Sequence, residues 1–155
     1  MLVVYQFARR KMPSGYSGTP LSKKLGLKES SHLHLINAPD DYESLLGELP
    51  PGLVLDQKLS RSTTIIHLFV MQRSHLTSQL GKLRKTIAAE ATVWVSWPKK
   101  ASKVTTDVTE DTIREVALPL GFVDIKVCAV SEVWSGLKLM IRKELRALAN
   151  IKKYP

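Results

Sequence analysis

Cysteine is nearly absent from this chain: Cys128 is the one thiol in 155 residues. That excludes an internal disulfide and any cysteine-based zinc framework, and a reducing, cytoplasmic setting is the corresponding expectation. No apolar run approaches the roughly 18 residues of a membrane-spanning helix, and the N-terminus lacks the long apolar core and small-residue cleavage site of a signal peptide. Glycine is scarce, with eight residues and no G-x-G anywhere, so the glycine-rich nucleotide fingerprint is missing. Acidic residues are outnumbered, 14 against 23 Lys plus Arg, for a formal net charge of +9. Nucleic acid, anionic membrane and acidic ligands are therefore all candidate partners on charge alone. What remains, 44% hydrophobic and 24% charged, is the composition of one soluble globular domain.

From Thr19 onward, short apolar runs alternate with amphipathic segments. Thr19 before Pro20 reads as an N-cap ahead of a first-position proline, with Gly26 closing that short helix. Residues 32 to 38, HLHLINA, form a β-type run that ends at Pro39, and Asp40 is placed to cap a helix through Leu45 and Leu46. Pro50-Pro51-Gly52 marks a turn. LVLD (53 to 56) and TIIHLFV (64 to 70) follow as strands, the second continuous enough for the interior of a sheet covered on both faces. Leu76, Leu80, Leu83 and Ile87 recur at spacings of four, three and four, which predicts a helix opening at Ser74 with one apolar face. ATVWVSW (91 to 97) is a strand stopped by Pro98. Asp107 with Glu110 predicts the capped start of a helix bearing Ile113, Val116, Ala117 and Leu120, ended by Gly121. FVDIKVCAV and GLKLMIRK, separated by SEVWSG, predict an antiparallel pair with Trp134, Ser135 and Gly136 at its tip.

Strands alternating with helices imply right-handed crossovers. The expected fold class is α/β, a Rossmann-like three-layer sandwich whose mainly parallel sheet ends in an antiparallel hairpin. The expected organisation is a leader over residues 1 to 14, disordered or preceding a true start at Met12, then a single domain over 15 to 143 and a basic tail over 144 to 155. Residues 1 to 30 and 138 to 155 each hold six basic and one acidic residue, whereas 31 to 137 hold eleven and twelve. The positive charge thus belongs to the two ends, and the body is close to neutral.

In an open α/β sheet, ligands lie outside the carboxyl ends of the strands, where connections diverge to opposite faces. Three segments converge there: 37 to 41, 71 to 75 and 96 to 103. Trp97 offers a stacking surface beside Lys99, Lys100 and Lys103, a combination suited to an anionic or nucleotide-like small molecule; the competing reading is a core tryptophan with solvated lysines. Asp40 and Asp41 could serve as a base or bind a ribose hydroxyl or a metal, or simply begin a helix, where negative charge favours the macrodipole. Trp134 folds over either the sheet edge or a ligand. The candidate ligand-binding set is Asn37, Asp40, Asp41, Ser96, Trp97, Lys99, Lys100 and Trp134. The four histidines, His32, His34, His67 and His75, invite a metal-site reading, and His32 and His34 share a strand face that an adjacent strand could bring close to His67, yet no acidic ligand stands at a recognisable spacing, and no metal site is assigned. Cys128 reads as a buried packing residue. No motif specifies a catalytic residue or a cofactor.

Two resemblances carry further. The entry LSKKLGLKESSHLHLINAP resembles the start of class I methyltransferase domains, where a helix ending in a leucine-glycine step feeds the first central strand; the closing strand-turn-strand is similar to how that fold ends. In those enzymes a glycine-rich turn follows the first strand, whereas here Asn37-Ala38-Pro39-Asp40-Asp41 follows, and one strand-helix unit is missing. The blocks GYSGTPLSKKLGLK, HLFV, WVSWPKKAS, DVTEDTIREVALPLGFVDIKVCAV and WSGLKLMIRK resemble a family of short bacterial proteins that carries a domain-of-unknown-function label. That resemblance implies a bacterial cytoplasmic α/β protein and transfers no catalytic residues. The expected function is ligand binding, non-catalytic or regulatory, in a degenerate Rossmann-type pocket. The alternative is a divergent S-adenosylmethionine-dependent transferase, and a third reading is a nucleic-acid-associated protein held by its basic ends.

Overall fold

The protein, a computed structural model, is described over residues 2–4 and 19–152. Its elements run β1 (Leu2–Val4), α1 (Leu21–Leu25), β2 (His32–Ile36), α2 (Tyr42–Leu46), β3 (Val54–Asp56), β4 (Ile65–Phe69), α3 (Arg73–Thr86), β5 (Thr92–Pro98), α4 (Glu110–Ala117), β6 (Phe122–Ala129), β7 (Trp134–Ile141) and α5 (Lys143–Lys152). Two short 3-10 turns, Lys100–Ser102 and Leu118–Leu120, follow β5 and α4. The expected leader falls mostly outside the described residues; within it, Leu2–Val4 pairs antiparallel with β3.

The strands form one sheet in the order β1-β3-β2-β4-β5-β7-β6. The centre is parallel, with β2 beside both β3 and β4, and β4 beside β5. β7 then enters antiparallel between β5 and β6. All five residues of β4 are buried, because helices cover both faces of the central sheet. One face packs Leu76, Leu80 and Leu83 of α3 with Ile113 and Ala117 of α4 onto Ile66, Leu68, Val93 and Val95. The other packs Leu21 and Leu25 of α1 with Tyr42, Leu45 and Leu46 of α2 onto Leu33, Ile65, Phe69 and Trp94. This is the Rossmann-like three-layer α/β sandwich with a terminal antiparallel hairpin that the alternating pattern predicts.

Helix starts differ in detail from the expectations. α1 begins after Pro20, so Thr19 lies one residue too early to cap it, while Gly26 ends it in the left-handed conformation at φ 81°. α2 begins at Tyr42 with Asp41 in the cap position and no side-chain bond, so Asp40 is not the cap. α4 is capped by Thr109, not by Asp107. The extended Thr109 backbone brings its Oγ1 under the Thr112 amide, which donates to it at 3.2 Å, and the Thr109 amide donates to Thr112 Oγ1 at 3.1 Å. Asp107 serves α3 instead, accepting from the Arg73 amide at 2.7 Å and tying the loop after β5 to the start of that helix.

The hairpin tip is also displaced. Trp134 is already the first residue of β7, opposite Pro98, and the turn is closed by the Val130 and Ser131 amides donating to the Trp134 carbonyl. Gly136 sits inside β7 because a Cβ there would come within 2.9 Å of Val130 Cγ2 and close to Trp94 and Ser96. Cys128 is half-buried, not buried, since β6 is the sheet edge and no helix covers it fully.

Candidate functional site

β2 sends its chain to β3 on one side, and β4 stands on its other side. The carboxyl ends of β2 and β4 are thus the point where the winding of the sheet reverses, the place where such folds open a crevice. A cleft of about 340 Å³ lies there, lined by Asn37, Phe69, Met71, Gln72, His75 and Trp134. Two other hollows, of about 380 and 450 Å³, lie between α1 and the segment Glu48–Pro51 and on the outer side of α4, away from this edge.

Asn37 ends β2 in the left-handed conformation, φ 58°. Glycine is the usual residue for that geometry, and asparagine is among the few side chains that tolerate it. The turn therefore keeps a positive φ at the end of the first central strand without a glycine. Across the cleft, Asn37 Nδ2 donates to Nε2 of His75 in the first turn of α3, at 3.2 Å. The floor is aromatic: Trp134 meets Phe69 edge-on with centroids 5.0 Å apart. Trp134 reaches it because β7 runs antiparallel, so its first residue lies at the carboxyl edge of β5.

Beneath that floor lies a buried polar chain. Phe69 stacks on His67 at 4.3 Å. His67 Nδ1 lies 2.8 Å from Tyr42 Oη, and His67 Nε2 lies 2.7 Å from Ser96 Oγ. A neutral imidazole has one donor and one acceptor, so one hydroxyl donates to it and the other accepts from it. Burial pushes the His67 pKa down to about 3, because nothing compensates the lost hydration of the cation. The serine-histidine-tyrosine chain resembles a nucleophile with its base, but Ser96 and His67 have no exposed surface. It bonds α2, β4 and β5 together and props Phe69 from below.

The candidate residues separate accordingly. Asn37 and Trp134 line the cleft, and Ser96 lies under it in the polar chain. Trp97 does not stack over the loop lysines. Along β5, residues 93, 95 and 97 face the α3/α4 side, so its indole joins that core and is only 8% exposed. The Lys99 amide donates to the Val133 carbonyl and Lys100 stands exposed in the following turn, neither lining the cleft. Asp40 and Asp41 are exposed at the start of α2, likewise outside it. His67 does not approach His32 and His34, because it pairs in register with Leu35 and so points to the opposite face. His32 Nδ1 lies 2.9 Å from Asp56 Oδ1, and His34 Nδ1 lies 2.8 Å from the Asp56 carbonyl oxygen. Among the described residues no group of three or more His, Cys, Asp and Glu could hold a metal ion.

Phe69 and Gln72 carry no ligand-binding signal in the sequence, although 71 to 75 is one of the converging segments, and His75 enters there only among the four histidines of the metal reading. The positional signal for Phe69 lay in the run HLFV, whose alternation puts His67 and Phe69 on one face, with Phe69 at the strand end.

No family model matches the chain, and no curated protein matches it in sequence. Its fold is similar to several solved structures. A SAM-dependent methyltransferase from Aquifex aeolicus aligns with a TM-score of 0.54 and 14% identity, over 79% of this chain and 88% of that one. A putative type 11 methyltransferase from Sulfolobus solfataricus aligns with a TM-score of 0.50 and 8% identity, over 73% and 85%. LepI in complex with SAM aligns with a TM-score of 0.50 and 12% identity over 86% of this chain, which spans about half of LepI, 49%. At these identities the likeness is one of fold. Among the described residues no helix is long and apolar enough to cross a membrane.

Proposed function

We propose that the chain is a ligand-binding module that takes an S-adenosyl-type nucleoside in the cleft at the carboxyl edge of β2 and β4. The observation that carries this reading is the cleft itself: an aromatic floor and convergent polar groups at the point where the sheet reverses its winding. Its volume falls at the lower end of the roughly 300–1,000 Å³ typical of small-molecule sites, which suits the nucleoside part of such a ligand. Trp134 and Phe69 supply flat apolar surface, Gln72 and the Asn37 amide supply hydrogen bonds, and the positive φ of Asn37 turns the chain aside at the end of β2. Neither Pro39 nor Trp97 is among the residues that line it. The likeness to methyltransferase folds supports the adenosyl group as the ligand class.

His75 is the one ionisable side chain among the residues that line the cleft. No acid–base pair is assembled there, which favours binding, non-catalytic or regulatory, over chemistry that needs proton transfer. Methyl transfer is the second reading, favoured by the fold, since positioning alone can accelerate a displacement.

Thermal unfolding with millimolar S-adenosylmethionine, S-adenosylhomocysteine and adenosine tests the proposal. A ligand present at tenfold its Kd stabilises by about 1.4 kcal/mol, and the melting temperature should rise accordingly. Trp134→Ala should abolish that rise while the variant still unfolds cooperatively. No rise with any of the three compounds overturns the reading. Release of S-adenosylhomocysteine on incubation with S-adenosylmethionine and cell extract, lost in the same variant, would promote the transferase.

A further inference from the structure

Lys126 of β6 and Lys138 of β7 are direct cross-strand partners. They point to the same face as Trp94, with which Lys138 is paired on its other side, so both stand on the α1 side of the sheet. Like charges directly opposite one another in an antiparallel pair are destabilising. Nearby carboxylates do not relieve this pair: Asp124, two residues earlier in β6, is committed to Arg114 on the far face, where Arg114 Nε donates to it at 2.9 Å. Among the described residues Lys28, Lys126 and Lys138 have no ion-pair partner. The end of α1 brings more positive charge to the same place, with Lys24 Nζ donating to the Ala129 carbonyl of β6 at 3.0 Å.

Lysine on an edge strand commonly guards against pairing with another chain, as does a bulge. That accounts for Lys126 and for the irregularity between Asp124 and Lys126. It does not account for Lys138, which lies on an interior strand and is half-buried. Its ammonium pKa is pushed down by burial and by the charges of Lys126 and Lys28, as expected of a cation held against other cations without a counterion.

We propose that Lys126 and Lys138, with Lys28 beside them, form a surface that binds the phosphates of a nucleic-acid strand. Lys28 and Lys126 are exposed beside the half-buried Lys138, and none of the three hollows described above takes them in, so they suit an extended polyanion better than a small one. The bulged, lysine-bearing edge opposes the addition of a peptide strand, which favours phosphates over an acidic peptide. This surface does not line the adenosyl cleft and stands or falls independently of it.

Fluorescence anisotropy of labelled single-stranded RNA and duplex DNA oligonucleotides, measured against salt concentration, tests the proposal, with polyglutamate as competitor. Binding should weaken steeply with salt, and Lys126→Gln with Lys138→Gln should reduce the slope of log K against log salt by about 1.4 on the single strand or about 1.8 on the duplex. Lys126→Arg with Lys138→Arg should restore it. The double Gln variant should melt no lower than the wild type, because it relieves repulsion; the exposed Lys126→Gln alone, with half the slope change, serves if the double variant folds poorly. Absence of binding at low salt overturns the proposal. An unchanged slope in the Gln variants overturns it by moving the contacts to the chain ends, and tighter binding of polyglutamate overturns it in favour of an acidic protein partner.

Discussion

The two faces of the sheet are built on different physics. Against α3 and α4 the core is almost wholly aliphatic, with Leu76, Leu80 and Leu83 set into Ile66, Leu68, Val93 and Val95. Against α1 and α2, helices of only five residues each, the sheet presents Trp94, Phe69, His67 and Ser96, with Tyr42 of α2 hydrogen-bonded to His67. One face is held by area and close packing alone; the other adds to its packed leucines a polar chain whose members must all be present together. The cleft opens above the second kind of core, and its floor, Phe69, rests on His67. A residue at the site is thus supported by groups that cost stability when disturbed, whereas the aliphatic face only has to be full.

The largest expected effect comes from emptying the aliphatic face. Leu80→Ala, at a position with no exposed surface, should destabilise by about 2–5 kcal/mol through lost burial and the cavity left behind. Denaturant unfolding reads the loss. Ligand-dependent stabilisation should persist in the variant, because α3 contributes its buried leucines to the fold and only His75 to the cleft; a variant that folds but no longer responds to ligand would break the division between the faces.

The polar face should instead respond to pH. His67 is neutral when folded, with its pKa lowered from 6.5 to about 3. As pH falls below 6.5 the unfolded chain takes up a proton that the folded protein refuses. The stability contributed by the neutral form is therefore complete above that value and is lost progressively as pH falls towards about 3. Between pH 7 and pH 5 this one group should cost about 2 kcal/mol. The measurement is the difference in unfolding free energy at the two pH values, compared with the same difference in His67→Gln. Parallel pH profiles for the two proteins would mean that His67 is not held neutral in the folded state.

What the sequence made legible follows the same division. The periodicity of Leu76, Leu80, Leu83 and Ile87 specified α3 and its buried face, because aliphatic burial repeats with the helix turn. The unbroken run TIIHLFV specified an interior strand for the same reason. The chain Tyr42–His67–Ser96 joins residues 25 and 29 positions apart, and no spacing rule links side chains that meet only through strand register. Trp97 misled because a tryptophan beside lysines in sequence need not face them: one step of strand alternation carries Ser96 to one face and Trp97 to the other. Asn37 and Trp134 could be placed at the cleft because both stand where a strand begins or ends at the carboxyl edge, a position set by topology rather than by packing.

Asn37 is where the sequence departs most plainly from a glycine-rich turn, and it offers the finest test of how that edge is built. At φ 58° the backbone cost falls on any residue with a Cβ, and asparagine carries it better than alanine. Asn37→Ala should therefore lose about 1 kcal/mol, seen as a lower denaturation midpoint with an unchanged slope. Asn37→Gly relieves the strain but loosens the unfolded chain and removes the bond to His75, so its net change should stay within about 0.5 kcal/mol. Ligand affinity should order differently, falling in both variants because both lack the amide. If glycine preserves affinity while alanine destroys it, the turn serves the site through its backbone conformation alone, and Asn37 is a substitute for glycine rather than a contact.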